Sequence, residues 1–481
     1  MNQSGTVFLV GAGPGDPKLL TVRAAELLRD AEVVAYDALI SDAVLAEIGP
    51  RAERISVGHR GKGASSAEYK IHPDVIARAR EGKNVVRLKQ GDPLVFGRGG
   101  EEAEELHAAG IAFEIVPGVS AALGAAAYAG IPLTHRRVSS DVTFATGHDL
   151  LAGTPASTDW AALARARGTV VLFMAAKKLG ENLARLVENG RAPSTPAAWI
   201  ARATTARQRV IVGTLGDLVA KTADVDRDDP ALIVVGEVVS LRETLGWIEK
   251  RPLHGRRILV ARARPGESQL AAGLRALGAE VIEAPSVSAA AVDPAALREQ
   301  LARAGAWDWV MLPSAEAVDA ARAELAHRAI ITVGERARAR LREAGLEPAL
   351  HVAGSCRDEL SARAELVRGR TILIVTDESR RPNLVAELKE LGALAATAVG
   401  YATRAQFPPP PREPFDAVVL PSSSAAELLY GSDYGRALAP APAIAIGPLT
   451  EAAARPHAAR VIVAGADRVD AVIAKVREVL A

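Results

Sequence analysis

Short apolar runs alternate with amphipathic, alanine-rich stretches along the whole chain. Val7–Val10, Val33–Tyr36, Val85–Leu88, Ala112–Val116, Val170–Phe173 and Leu232–Val235 are dominated by Val, Ile and Leu, the signature of buried strands. Between them, stretches such as Leu19–Arg29 and Glu101–Ala109 carry the spacing of helices. Strand followed by helix, over and over, predicts an α/β fold with largely parallel sheets. Glu101, Glu102, Glu104 and Glu105 crowd the start of one helix, where carboxylates offset the positive end of its dipole. The rhythm breaks at the polar, Pro- and Gly-bearing stretch 245–255, and a fresh strand, Ile258–Ala261, follows it. This places a domain junction near residue 250.

Beyond that junction the pattern repeats itself. GRRILV at 255–260 returns as GRTILI at 369–374, and LAAGLRALGA at 270–279 returns as LVAELKELGA at 384–393. WDWVMLPSAEAV at 307–318 resembles FDAVVLPSSSAA at 415–426, and ITVGERARA at 331–339 resembles IAIGPLTEA at 444–452. Four pieces recurring in one order predict two similar α/β lobes with a ligand cleft between them. Pro408–Pro411 reads as a stiff, polyproline-like linker.

Length and composition sharpen this picture. A chain of 481 residues implies about three to four compact units. Hydrophobic residues at 49% and charged residues at 24% are globular values and exclude disordered or fibrous classes. Lys and Arg total 58 against 57 Asp and Glu, and the balance holds in each half, so no basic domain exists to bind nucleic acid. The single cysteine, Cys356, excludes an internal disulfide and a CxxC-type metal site, so no metal is expected. The first apolar run ends at Gly11, too short for a secretory signal. The uncharged stretch Ile115–Thr134 contains Pro117, Gly118, Gly124, Gly130 and Pro132, which predicts a buried loop and helix and not a membrane span. A cytoplasmic location is expected.

Three clusters carry candidate chemistry. Gly11-Ala12-Gly13-Pro14-Gly15-Asp16 ends the first strand. It is not the dinucleotide fingerprint, because Asp16 stands where a third glycine would fall and Pro14 stiffens the turn. The second cluster runs from Arg87 to Glu102 between a strand and a helix, where open α/β sheets bind ligands. In it, Asp92 can accept hydrogen bonds and Arg98 can pair with a carboxylate. The third runs from Val116-Pro117-Gly118-Val119-Ser120-Ala121 to Ile131-Pro132-Leu133-Thr134-His135-Arg136, small residues that let a flat ligand approach, followed by cations.

Together the VGAGPGDP, RLK-x-GDP-x-x-FGRGGEE, VPG-x-S-A-A and AYAGIPLTHR elements resemble the tetrapyrrole methyltransferases, specifically the uroporphyrinogen-III C-methyltransferases, over residues 5–248. The resemblance implies a two-lobed methyltransferase fold for residues 1–248, S-adenosyl-L-methionine as cofactor, and a homodimer. It implies methylation of uroporphyrinogen III at C2 and C7 to precorrin-2. Position by position it assigns cofactor contacts to Pro14, Gln90, Gly91, Asp92, Val95, Ser120, Ala121, Met174 and Ala203. It makes Asp37 and His59 catalytic, Asp37 as a proton-handling carboxylate, with the alternative that Asp37 caps the segment after Ser41. Arg98, His135 and Arg136 are expected to meet the substrate's carboxylates. The sequence departs from the family where Gln90 replaces a usual Gly, His59 a usual Lys, and Ala203 a usual Gly, and in residues 62–73.

Residues 255–475 resemble the uroporphyrinogen-III synthases through GRRILVAR, the two strand-loop pieces of the repeat, ITVGERA, VGYAT and AIGPLTEAAA. The resemblance implies two α/β lobes joined by a short ladder over residues 255–481. The implied reaction closes hydroxymethylbilane to uroporphyrinogen III without a cofactor. It suggests Tyr401 as the acid at the leaving hydroxyl, with Ser314, Ser422, Ser423 and Thr450 holding substrate carboxylates. Each serine could equally be a helix N-cap. The first expectation is a bifunctional enzyme on the sirohaem and cobalamin path. The alternatives are an active synthase with a weakened methyltransferase half, and a non-catalytic tetrapyrrole sensor.

Overall fold

A computed structural model describes residues 4–49, 52–58, 70–148, 158–262, 268–303, 307–326, 328–353, 356–377, 382–407, 414–466 and 468–480. His59 and Pro408–Pro411 lie outside the described residues. The contacts divide the chain into two compact units. One takes the residues up to Arg256 together with Leu274–Glu280, and the other takes Arg257–Gly273 and Val281–Leu480.

The first unit opens with strands β1 (Val7–Gly11), β2 (Val33–Tyr36), β3 (Glu53–Ser56), β4 (Val85–Lys89) and β5 (Phe113–Val116). They form a parallel sheet in the order β3-β2-β4-β1-β5. Successive side chains of a strand point to opposite faces, which accounts for the unbroken apolar runs. Val7, Leu9, Val33, Ala35 and Val85 enter one core, while Val10, Val34, Val86 and Leu88 enter the core behind. The Ile115–Thr134 stretch supplies the end of β5 and then the buried helix Ala121–Ala129, closed by Gly130 in the left-handed conformation. Among the described residues no helix is long and apolar enough to cross a membrane.

The unit's second sheet holds β6 (Val142–Thr146), β7 (Thr169–Phe173), β8 (Pro196–Ala201), β9 (Arg209–Thr214) and β10 (Ala231–Val235), in the order β6-β7-β10-β8-β9. Here the expectation of parallel pairing fails. Only β6–β7 is parallel, and β7–β10, β10–β8 and β8–β9 are antiparallel. Both faces of this sheet are covered, so its strands are as continuously apolar as those of a parallel sheet.

In the second unit β11 (Arg257–Ala261), β12 (Glu280–Ala284), β20 (Ala417–Leu420), β21 (Ala443–Ala445) and β22 (Val461–Val463) build one sheet, ordered β12-β11-β20-β21-β22. A second sheet is ordered β16-β15-β14-β17-β18, from β14 (Trp309–Leu312), β15 (Ile330–Val333), β16 (Leu350–Val352), β17 (Thr371–Thr376) and β18 (Leu394–Val399). An antiparallel ladder of β13 (Ser286–Ala291) and β19 (Tyr401–Gln406) carries the chain from one lobe to the other and back. The sequence repeat is therefore not one copy per lobe. The first lobe joins the opening strands of copy one to the closing strands of copy two, and the second lobe joins the remainder. Both have the same strand order once repeat-equivalent strands are matched.

The seams use one device twice. Asp308, just before β14, accepts from the Thr371 backbone N–H at 2.8 Å and from the Thr371 hydroxyl at 2.9 Å. Its repeat equivalent Asp416, just before β20, accepts from the Arg257 N–H at 2.7 Å. The bonds to Thr371 and the nearby Arg370 hold the Asp308 carboxyl below its ordinary range.

Candidate active sites

The first sheet's C-terminal edge brings the three glycine-bearing loops together. Gly13 and Gly91 form a two-way backbone bridge, N–H to O distances being 3.2 Å and 2.9 Å. A Cβ on Gly118 would lie 2.2 Å from the Gly91 carbonyl oxygen, and one on Gly11 would lie 2.6 Å from the Gly118 Cα. Glycine is required at both positions because the loops touch through their backbones. Asp92 ties the cluster from the side. One of its oxygens accepts from the Leu94 N–H at 2.9 Å, the other from the Gly118 N–H at 3.0 Å.

The second lobe of the same unit supplies the opposite side. Gly124 leaves no room for a Cβ, which would meet the Pro14 ring at 2.4 Å. The Asp16 N–H donates to the Thr204 hydroxyl at 3.1 Å, and the Tyr128 hydroxyl donates to Asp16 at 2.7 Å. Burial and this bond push the Tyr128 phenol well above its usual range. Phe96 packs on Phe173, centroids 4.7 Å apart. Among the described residues, every non-glycine with positive φ lies around this edge: Phe96, Arg98, Met174, Arg202 and Thr204. Such residues cost about 1–3 kcal/mol each and collect at ligand sites.

The expected cofactor contacts fall here together. Pro14, Gln90, Gly91, Asp92, Val95 and Ser120 sit on the loops, Ala121 opens the following helix, and Met174 and Ala203 follow strands of the second sheet. Met174 is 53% exposed although it follows a buried strand. Ser120 caps the Ala121–Ala129 helix. Gln90 donates from Nε2 to the Pro14 carbonyl at 2.9 Å, and its buried Oε1 has no hydrogen-bond partner among the described residues. Backbone contact at the floor, apolar walls and this open acceptor suit a nucleoside-bearing ligand with hydrogen-bond donors. Arg98 starts the Gly99–Ala108 helix and pairs with Glu101 at 3.9 Å. His135 closes a tight turn with Ser139, and Arg136 beside it is exposed.

Asp37 stands at the end of β2 and does not cap the following helix, which Ser41 caps through the Val44 N–H. Instead its Oδ1 lies 2.6 Å from Arg87 Nη2. Arg87 donates through Nε and Nη2 to Glu102 Oε1 at 3.1 Å and 3.0 Å, and Lys89 Nζ donates to the same oxygen at 2.8 Å. Glu102 is 0% exposed, and Arg87 and Lys89 are buried beside it. Burial and Arg87 lower the proton affinity of the Lys89 ammonium, while Glu102 and Asp37 counteract them. Glu102 is thus no simple dipole carboxylate. The missed signal was Arg87 and Lys89 at i and i+2, on one face of a buried strand, next to a helix with a run of glutamates.

In the second unit, Tyr401 opens β19 and is 5% exposed, its hydroxyl 2.9 Å from the Ser314 hydroxyl. Ser314 and Ser422 are N-caps of the Ala315–Ala321 and Ser423–Tyr430 helices, accepting from the Ala317 and Ala425 N–H groups at 3.2 Å and 3.1 Å. Ser423 is the first residue of its helix. Thr450, in the Pro448–Ala454 helix, is buried at 3% exposure, which makes it the least accessible of the four hydroxyls. Glu335 and Pro448 begin equivalent helices of the repeat.

Comparison with known proteins adds names to these parts. Residues 6–219 match the family model of the tetrapyrrole (corrin/porphyrin) methylases, and residues 268–474 match that of uroporphyrinogen-III synthase HemD. An S-adenosyl-L-methionine-dependent uroporphyrinogen III methyltransferase of Methanosarcina barkeri is 48% identical over 242 residues, 50% of this chain and 95% of that protein. A sirohaem synthase of Pseudomonas putida is 49% identical over 249 residues, 52% of this chain and 53% of its own length. The chain thus spans about half the length of the sirohaem synthases it matches. The solved uroporphyrin III C-methyltransferase of Thermus thermophilus is 39% identical over 49% of this chain and all of that one, with a TM-score of 0.42.

Proposed function

Because the chain belongs to the tetrapyrrole methylases, we propose that it is a bifunctional enzyme of tetrapyrrole synthesis. Its C-terminal part, residues 255–481, closes hydroxymethylbilane to uroporphyrinogen III. Its N-terminal part, residues 1–248, methylates that product at C2 and C7 to precorrin-2. The observation that carries the reading is the 48% identity across 95% of a uroporphyrinogen III methyltransferase. The synthase model matched to residues 268–474 supports the other half.

S-adenosyl-L-methionine, bound at the joined loops, supplies an electrophilic methyl group. Pro14, Gly91, Val95, Ser120, Ala121, Met174 and Ala203 enclose it, and Gln90 Oε1 and Asp92 offer acceptors. Residues that hold the substrate beside this pocket would replace an encounter from solution with a positioned contact. Methylation would leave the ring with positive charge and a proton to lose. The Asp37 carboxylate, 28% exposed and held by Arg87, takes that proton. Arg98, His135 and Arg136 meet substrate carboxylates, and His59 is the second catalytic group of this half.

In the synthase half Tyr401 donates its proton to the departing hydroxyl, which leaves as water. Ser314 holds the phenol in place, and Ser422, Ser423 and Thr450 engage the substrate's carboxylates. A homodimer through the methyltransferase half and a cytoplasmic location complete the proposal.

One observation favours a second reading, an active synthase with weakened methyl transfer: Gln90 puts a carboxamide where the family usually has a glycine. Anaerobic incubation with hydroxymethylbilane and S-adenosyl-L-methionine, followed by mass and isomer analysis, separates the two. Dimethylated type III product is expected. Unmethylated type III product at excess cofactor would establish the second reading, and type I product alone would overturn both.

A further inference from the structure

Four ionisable side chains, Asp37, Arg87, Glu102 and Lys89, form one connected chain of charge-assisted contacts of 2.6–3.1 Å. Three of them are almost completely buried. Removing charges from water is costly, and apolar residues of similar volume commonly do as well or better for stability alone. The formal charges cancel, two against two, and only Asp37 reaches solvent to a substantial degree. The network therefore has one working end.

Its geometry gives each member a different task. Glu102 Oε1 takes both Nε and Nη2 of Arg87, and the Leu88 carbonyl takes Nη1 at 3.2 Å, so the guanidinium plane is fixed. The same Nη2 then faces Asp37 Oδ1. Lys89 shares the Glu102 oxygen and balances the second negative charge. Glu102 enters from the first turn of the Gly99–Ala108 helix, and Arg87 and Lys89 from alternate positions of β4. A carboxylate that must meet a proton on a bound macrocycle has to be held to a fraction of an ångström.

We infer that Glu102 and Arg87 are positioning residues for methyl transfer: Glu102 orients Arg87, and Arg87 orients the Asp37 carboxylate toward the substrate. Neither touches substrate or cofactor. The inference rests on the reading of Asp37 as the proton acceptor of a methyltransferase.

A double-mutant cycle on the full chain tests it. Single-turnover transfer of radiolabelled methyl to uroporphyrinogen III is measured at saturating substrates, together with S-adenosylhomocysteine affinity by calorimetry and thermal unfolding. Glu102→Gln keeps shape and removes the charge, and is expected to slow transfer about tenfold or more, with affinity unchanged within twofold. Arg87→Met is expected to slow it at least as much. Arg87→Lys, which restores the charge without the planar fork, is expected to recover only part of the loss. In an Asp37→Asn background, Glu102→Gln and Arg87→Met are each expected to cost less than a further twofold, because the group they act through is gone. Equal losses in both backgrounds, or a native rate for a folded Glu102→Gln variant, would overturn the inference while leaving the function intact. A native chain that transfers no methyl group, or Asp37→Asn at the native rate, would overturn the functional reading and the inference with it.

Discussion

Gln90 occupies a position where the loops of β1 and β4 meet, and its side chain has two ends with different fates. The Nε2 end is spent on the Pro14 carbonyl, and the Oε1 end is buried with no partner among the described residues. A buried acceptor without a donor costs free energy, about 1–3 kcal/mol, unless a ligand supplies the donor. Gln90→Gly should therefore weaken S-adenosylhomocysteine binding about five- to tenfold, as read by calorimetry. Unchanged or tighter binding would mean that the carboxamide only fills space. The sequence displayed this residue as a departure from its family, yet the orientation of the amide depends on the Pro14 carbonyl 76 positions away. The partners of Asp37 were hidden for the same reason. Arg87 and Glu102 stand far along the chain from it, and nothing local to VVAYD points to either.

At the scale of elements, loops and seams decide more than strands do. Gly118→Ala drives a Cβ into the Gly91 carbonyl oxygen, which is backbone and cannot rotate away. A loss of about 2 kcal/mol or more is expected in thermal unfolding, with weaker cofactor binding, while Gly100→Ala, which meets no atom within 4 Å, should leave both unchanged. In the other unit, Asp308→Ala should lower the melting temperature at neutral pH by removing the clasp between β14 and β17. The native carboxyl titrates lower when folded than when unfolded, so its contribution is present above the unfolded value and disappears as pH falls through the folded one. The melting difference between variant and native chain should thus shrink below about pH 4 and vanish in stronger acid. A difference independent of pH would show that Asp308 acts through its shape alone.

Strand positions were legible because alternating cores on both faces of a sheet write continuous apolar runs into the sequence, as in Val7–Val10 and Val85–Leu88. Strand direction was not. β8 and β10 have the same composition as parallel strands, since helices and loops cover both of their faces, and only the connections reveal that they run oppositely. Likewise β3, reading ERIS, has a single apolar residue, Ile55, at a sheet edge and lacks the run that marks the others. The paired lobes of the second unit were visible in the repeat, but which half of each copy joins which lobe is set by long-range pairings such as Ile258 with Ala417 and Trp309 with Ile372.

For the whole molecule, the two proposed reactions have separate machinery in separate compact units. Asp37→Ala is expected to reduce methyl transfer about a hundredfold and leave formation of the type III isomer unchanged. Tyr401→Phe is expected to do the opposite, letting type I product accumulate from hydroxymethylbilane while supplied uroporphyrinogen III is still methylated. Loss of both activities in either variant would point to a structural defect, which thermal unfolding would reveal.

The exchange of repeat halves also orders events during synthesis of the chain. The lobe built on β14–β18 is contiguous and has all its strands by Val399, whereas β11 ends at Ala261 and its neighbour β20 begins only at Ala417. At roughly 5–20 residues per second, β11 leaves the ribosome roughly 8–30 s before the strand it pairs with. Through that interval an apolar strand waits with an open edge, the state most exposed to pairing with a wrong chain. The nascent chain must finish its inner lobe while the outer one stands half built, and a pause in translation between residues 262 and 416 prolongs that exposure.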